Sequence, residues 1–456
     1  MSLTIHPKDI VAASASPLLA AAEHWERRPL AEVATILNGY AFASKLFSRT
    51  EGVPLIRIRD ISNGSTSERF KGSYDDRYEI RAGDLLVGMD GDFNVARWSG
   101  PPALLNQRVM KIEPMEGLLD INFLTYLLPG YLRAIHDLTS STTVKHLSSR
   151  DVERLPIPVP TIQEQQAMVA AISSLLELVK SSQAHLETIP ALLKKFRQSV
   201  LAAACSGQLT ADWRDGALEI QPASELLKEL AEARSDQIGP KAKQPVEPDL
   251  EMQFDIPDSW ECVSVDALST KVADGVHKKP NYVSEGIPFV TVRNLTAGPG
   301  ISFERLNYVT RKDHLEFTAR TKPERGDILI SKDGTIGTVR VVDTDREFSI
   351  FVSVALVKVT DKRLTRYLEL AFNCPAVQER MTRTGTGLQH LVLRDLRQLA
   401  IPLPPLSEQA EIVRRVESLF ALADAIESRL AEAAAQVERT TQVMLAKAFR
   451  GELSGD

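Results

Sequence analysis

IPVPTIQEQQAMVAAISSLLELV (157–179) and IPLPPLSEQAEIVRRVESLFALA (401–423) are one segment written twice, 244 residues apart. The match continues without a gap to LAAACSGQLT (201–210) against LAKAFRGELS (445–454), and 17 of the 54 aligned positions are identical. Upstream, SSTTVKHLSSRDV (140–152) aligns with TGTGLQHLVLRDL (384–396) at the same spacing. GDLLVGMDG (83–91) aligns with GDILISKDG (326–334) at 243, and VPLIRIRDIS (53–62) with IPFVTVRNLT (287–296) at 234. Trp25 and Trp260 open the two copies. The drifting offset places insertions in the first part of each copy and a rigid second part. The chain is therefore a unit of about 200 residues duplicated, and the repeat governs any reading of the fold.

Each copy has two textures. Its first part consists of short β-type runs punctuated by Gly, Pro and Asp, with Gly-Asp and Asp-Gly marking hairpins. Short helical segments at 121–136 and 364–381 make this part α+β and dominated by sheet. The second part is a long helix. Pro160 and Pro405 end the preceding strands, and Glu164 and Glu408 sit in the first turns, where the helix dipole favours acids. Ile412, Val416, Leu419, Ala423, Ile426, Leu430, Ala433, Val437, Thr440 and Met444 follow in steps of four and three. Met168, Ile172, Leu175, Val179, Ser182, Leu186, Ile189, Leu193, Phe196 and Val200 repeat that register. A sustained 3.5-residue period predicts a coiled-coil seam. Pro190 is expected to kink the first helix. The stretch 207–258 holds a short helix and a Pro-rich polar linker.

Composition narrows the function classes. The 456 residues are 43% hydrophobic and 25% charged, as in an ordinary globular chain. Apolar runs fall far short of the ~20 residues a spanning helix needs, and the N-terminus lacks a secretory pattern, so no membrane association and a cytoplasmic location are expected. Cys205, Cys262 and Cys374 form no CxxC pair, and the eight histidines show no metal spacing. Phosphate-loop, HExxH, [ND]PP[FY] and nucleophile-elbow motifs are missing, so no enzyme chemistry and no cofactor are expected on this chain. The net charge of −6 is uneven. Residues 1–160 hold 18 basic and 19 acidic side chains and 251–404 hold 21 and 20, while 161–250 hold 9 and 12 and 405–456 hold 6 and 9. Acidity thus concentrates in the helical segments and leaves two near-neutral regions able to carry basic patches.

The duplicated PxP–x–EQ helix starts, the closing stretches LLKKFRQSVLAAACSGQLT and QVMLAKAFRGELS, and the paired GDLL and GDIL hairpins resemble the specificity subunit of type I restriction–modification enzymes. The resemblance spans essentially the whole chain. It implies an N-terminal segment (1–24), a first target-recognition domain (25–160), a first spacer helix (161–206), a linker with a short helix (207–258), a second target-recognition domain (259–404), a second spacer helix (405–450) and a C-terminal end (451–456). The two helices would form an antiparallel coiled coil on a pseudo-two-fold, spacing two recognition domains that read the halves of a split, asymmetric DNA target. Implied partners are double-stranded DNA, two methyltransferase subunits and two motor-nuclease subunits, with S-adenosylmethionine, ATP and Mg on those partners. A methyltransferase-only complex and a coiled-coil scaffold whose globular copies bind protein are the alternatives.

Candidate DNA contacts come from polar residues in the matched segments. Arg57, Arg59 and Asn63 face Arg293 and Asn294 across the repeat, and Arg and Asn can grip guanine and adenine through paired hydrogen bonds. Alternation along a half-buried strand explains the same arginines without DNA. The hairpin loops carry Asp92, Phe93, Asn94 and Arg97 in one copy and Lys332 and Thr335 in the other. Asp-Gly is a sufficient turn signal, yet the loops differ while their flanking strands match. Lys145 and His146 against Gln389 and His390 complete the set, and the adjoining Arg-Asp pairs read as helix caps. For helix–helix or subunit contact the candidates are Ile172, Leu175, Val179, Leu186, Val416, Leu419, Ile426 and Leu430.

Overall fold

Apolar runs broken by Gly and Asp become short strands, and runs with the 3.5-residue period become helices. The computed structural model describes residues 9, 19, 21–138, 147–217, 219–249, 255–278, 280–383 and 390–452. Two compact units emerge, Met1–Glu187 with Ala431–Asp456, and Thr188–Leu430.

In the first unit, β1 (Arg27–Pro29) pairs with β11 (Pro156–Pro158). A four-stranded antiparallel sheet has the order β2-β10-β7-β8, built from β2 (Ala34–Asn38), β7 (Leu85–Gly88), β8 (Val95–Arg97) and β10 (Val109–Pro114). A five-stranded sheet of order β3-β5-β4-β9-β6 uses β3 (Phe47–Ser48), β4 (Val53–Ile56), β5 (Arg69–Phe70), β6 (Glu79–Ile80) and β9 (Ala103–Leu105). Leu85 and Val87 on one face of β7 join Trp25, Met110, Ile112 and the helix Ile121–Leu138 in the main core. Leu86, on the opposite face as strand alternation requires, packs with Ile56, Ile61, Trp98 and Leu105.

The second unit repeats this plan. Strand β12 (Glu261–Ser264) pairs with β20 (Ala400–Leu403), as β1 does with β11. The order β13-β19-β16-β17 reproduces the four-stranded sheet with β13 (Ser269–Asp274), β16 (Ile328–Ser331), β17 (Val339–Val341) and β19 (Val354–Val359). The third sheet diverges. Among the described residues it has three strands, β14 (Ile287–Val290), β15 (Asn307–Val309) and β18 (Ser349–Ile350), and the helix Arg311–Thr318 lies beside β18 through His314 Nδ1 and Ser349 Oγ, 2.9 Å apart. The shared element is the parallel pair, β4 with β9 and β14 with β18.

The long helices are Ile162–Cys205 and Leu406–Phe449, 44 residues each, or ~66 Å at 1.5 Å per residue. The first continues as one helix through Pro190. All ten residues of its predicted seam, from Met168 to Val200, are buried or half-buried, whereas Ile426, Ala433 and Thr440 in the second helix are exposed. In the second unit the two segments run antiparallel. Arg197 reaches Asp424 at 2.8 Å, the Leu209 carbonyl accepts from Arg415 at 2.9 Å, and Arg214 reaches Glu408 at 2.5 Å. In the first unit Met168 and Ile172 share a core with Leu445, Ala448 and Phe449.

The repeated Trp and EQ motifs meet at the helix starts. Trp25 Nε1 donates to Glu164 Oε1 at 3.1 Å, and Trp260 Nε1 donates to Glu408 Oε2 at 2.8 Å. Thr161 and Glu164 form a reciprocal capping box, the Thr161 N–H donating at 2.8 Å and the Glu164 N–H at 3.3 Å. Gln165 and Gln409 turn inward to the carbonyls of Pro160 and Pro404 at 2.9 and 2.8 Å. These pairs explain why the motif recurs: each long helix is fastened to the tryptophan just ahead of the first strand of its own copy.

Candidate nucleic-acid interface

Residues 57–63 and 291–297 depart from the strand expected of them. Strand β4 ends at Ile56 and a 3-10 turn follows at Ile58–Asp60, and β14 ends at Val290 before the helix Val292–Thr296. In both units the third residue of the turn folds back on the chain: the Arg57 N–H donates to Asp60 Oδ2 and the Thr291 N–H to Asn294 Oδ1, each at 2.9 Å. Asn294 is buried, and its amide also donates to the Ser302 carbonyl at 3.2 Å. Its hydrogen bonds serve the turn rather than a base. Arg57 reaches Glu68 at 2.7 Å and lies 5.8 Å from the centre of the Phe47 ring. Arg59 and Arg293, one offset of 234 apart, are exposed at the same place in each turn, and Asn63 is exposed beyond Arg59.

The hairpin loops stand at the end of β7 and β16. Between the flanking strands the first loop has six residues and the second seven. In the first, Asp92 and Asn94 are exposed while Phe93 is buried, its ring centre 5.9 Å from that of His136. Phe93 has a φ of 51°, in the left-handed region that costs a residue with a side chain. Arg97 leaves the loop, donating to the Gly83 carbonyl at 2.9 Å and to Asn122 at 2.6 Å. In the second loop Thr335 is exposed, but Lys332 is buried in an ion pair with Asp274. Lys332 therefore belongs to the packing of the sheet and does not reach a ligand. Its counterpart in the first unit is the uncharged Met89, and that of Asp274 is Asn38.

A basic side chain meets the first aspartate of each loop. Asp90 pairs with Arg108, and Asp333 pairs with His390. Three further expected contacts, Lys145, His146 and Gln389, lie outside the described residues. Their neighbours Leu147 and Leu391 donate to the Met89 and Lys332 carbonyls at 2.7 and 3.0 Å, so a leucine docks at the matching place on the hairpin of each unit. Ser148 and Asp151 form the helix cap expected there, with the Ser148 N–H donating at 3.2 Å. A second loop joins the hairpin. Tyr40 bridges to Asn106 and Val276 to Phe351 in parallel fashion. The glycines before them have no room for a side chain, because a Cβ would lie 2.0 Å from the Asn106 carbonyl oxygen at Gly39 and 2.2 Å from that of Ile350 at Gly275.

Each unit thus gathers a hairpin loop, the loop after its first sheet strand, and a basic side chain on the loop's first aspartate; the turn with its exposed arginine follows the shared parallel strand. Arg108 and Tyr40 were absent from the sequence-based candidates. Arg108 aligns with Ser353 only at an offset of 245, which the motif matches at 243 and 244 do not reveal. Of the helix candidates, Ile172 and Val416 are fully buried, Leu175, Val179, Leu186, Leu419 and Leu430 half-buried, and Ile426 exposed. Among the described residues no cluster of ligating side chains suits a metal ion, and no helix is long and apolar enough to cross a membrane.

Comparison with known proteins agrees with this duplicated architecture. The family model for the type I restriction modification DNA specificity domain matches twice, at residues 22–191 and 257–435. The chain is similar to the type I restriction enzyme EcoBI specificity subunit of Escherichia coli, 37% identical over 100% of this chain and 91% of the relative. It is also similar to the EcoKI specificity subunit of Escherichia coli strain K12, 26% identical over 95% and 90%. Among solved structures, a chain from a study of complex assembly in the type I R-M system superposes with a TM-score of 0.59 at 20% identity, covering 95% of this chain and 100% of that one. The HsdS subunit from Thermoanaerobacter tengcongensis gives 0.54 at 20% identity, with 94% and 98% covered. The chain belongs to the family of type I restriction–modification DNA specificity subunits, the non-catalytic recognition members of those systems.

Proposed function

We propose that this chain reads a bipartite, asymmetric DNA sequence, residues 25–160 reading one half and residues 259–404 the other, with the helices at 161–206 and 405–450 setting the gap. What supports the reading most is a shared scaffold with unshared loops. The four-stranded sheets have the same strand order in both units, while the hairpin loops and third sheets differ. Two readers of one design but different surface meet two different half-sites, and their spacing fixes the spacing on DNA. In this proposal Arg59 and Arg293, identical in residue and place, hold phosphates and supply position without sequence information. Asp92, Asn94, Thr335 and His390 lie at the loops where base edges would be met. Asn294, Lys332 and Phe93 are left out, their side chains being buried in the fold.

The chain would dock two adenine methyltransferase subunits that carry S-adenosylmethionine, together with motor-nuclease subunits that use ATP and Mg, in the cytoplasm. Half-buried and exposed apolar residues of the helices, Leu175, Leu419 and Ile426 among them, offer surface for that assembly. Selection from a random duplex pool by the complete complex tests the reading. Recovery of two unlike half-sites at a fixed gap, with binding that weakens steeply as salt rises, is the expected result; retention without sequence preference would overturn it.

A further inference from the structure

Because the two units share a backbone plan, each position can be weighed against its counterpart, and residue 108 stands out. Among the described residues three other than glycine have a positive φ, namely Phe93 at 51°, Arg108 at 72° and Arg305 at 49°; Phe93 lies in the first unit's hairpin loop, and Arg108 is bonded to the start of that loop. Arg108 is 57% exposed in its side chain, and its guanidinium pairs with Asp90 at the start of the loop. Its carbonyl accepts from the Met89 N–H at 2.9 Å. In the second unit the Ser353 carbonyl accepts from Lys332 at 2.8 Å, so the backbone contact is the same while the side chain is not.

We propose that Arg108 is a specificity-determining residue of the first unit, leaving Asp90 to bind the O6 and N7 of a guanine in the half-site that unit reads. This rests on the two-half reading above. An arginine is the side chain suited to that paired acceptor edge. A phosphate contact is the rival role, but phosphates recur identically in both halves, and the scaffold answers with identical residues at Arg59 and Arg293. At 108 and 353 the residue changes, as it must where the base changes. Unfavourable backbone held at an exposed cationic side chain is also where functional strain collects.

The test uses the full chain assembled with its methyltransferase partner. Arg108→Gly removes the guanidinium and suits the left-handed backbone, so folding is preserved; Arg108→Lys keeps the charge but loses the fork. The adenine methylation motif is mapped for each complex, and binding is measured on duplexes changed at each guanine. The expected result is that both variants lose about 10- to 100-fold discrimination at one guanine of one half, with the other half intact. An unchanged motif, or an even loss on all duplexes with a shallower salt dependence and rescue by Lys, overturns the assignment. If the unmodified complex itself shows no two-part motif, the two-half reading fails first and the Arg108 assignment with it.

Discussion

Arg59 and Arg293 leave their turns one residue before the carboxylate or amide that closes the turn, and both are exposed. Replacing either with Ala should weaken DNA binding evenly across sequences and lower the slope of log affinity against log salt by about 1. A salt titration on matched and mismatched duplexes checks this; a change confined to one base position would make the residue a reader instead. Lys332 calls for a different expectation. Its ion pair with Asp274 is buried, and removing one partner strands a charge, at a cost of about 3–5 kcal/mol. The first unit holds Met89 and Asn38 at these places, so Lys332→Met with Asp274→Asn should recover most of the stability that Lys332→Met loses. Denaturant unfolding of the three variants measures it. Glu164 carries a pH prediction. Hydrogen bonds from the Thr161 hydroxyl and backbone, then from His24 and Trp25, hold its carboxyl at about 2 against an ordinary 4.5. The folded state therefore gains stability above pH 4.5 that is lost as pH falls toward 2. Glu164→Gln should lower the unfolding midpoint at neutral pH, and its gap from the unmodified chain should close over that window.

Elements differed in how plainly the sequence announced them. The long helices were legible because a 3.5-residue period sustained from 168 to 200 and again from 412 to 444 has one explanation, and the hairpins because Gly-Asp and Asp-Gly bracket the short runs LLVGM and ILISK. The turn after β4 was not, since I-R-I-R alternates as a strand does; only the Asp60 and Asn294 side chains, folding back three residues, end it. The divergent third sheet was also hidden, because β3, β5 and β6 are two residues each and leave no period to read. Burial was the missing information at Asn294 and Lys332, whose residue types alone fit a base equally well. At this scale the loops after β2 and β13 give a sharp prediction. Gly39→Ala or Gly275→Ala would drive a Cβ into a backbone carbonyl oxygen at 2.0 or 2.2 Å, so either should destabilise its own unit and impair one half-site. Limited proteolysis of each unit reads that out; equal damage to both halves would contradict modular reading. Ile172→Asp or Val416→Asp places a charge at a fully buried seam position and should lower stability by several kcal/mol, on the order of the cost of an unpaired buried charge. An unchanged melting curve would refute the packing assigned to those helices.

For the molecule as a whole, duplication was the property most readable in advance, because two copies 244 residues apart testify to each other. Charge was the least readable: −6 overall conceals two near-neutral sheet-rich units, the acid excess lying in 161–250 and 405–456, and residue type alone does not tell an exposed arginine such as Arg293 from one held against an acid, as Arg57 is by Glu68. In the proposed function the two units read unlike half-sites of one DNA target. A genome-wide map of methylated adenine, with the gene for this chain intact and deleted, tests it most directly. The expected map holds a motif of two unlike halves at a fixed gap that loses its methylation on deletion. A map that does not change on deletion, or a lost motif that is symmetric or undivided, would contradict it.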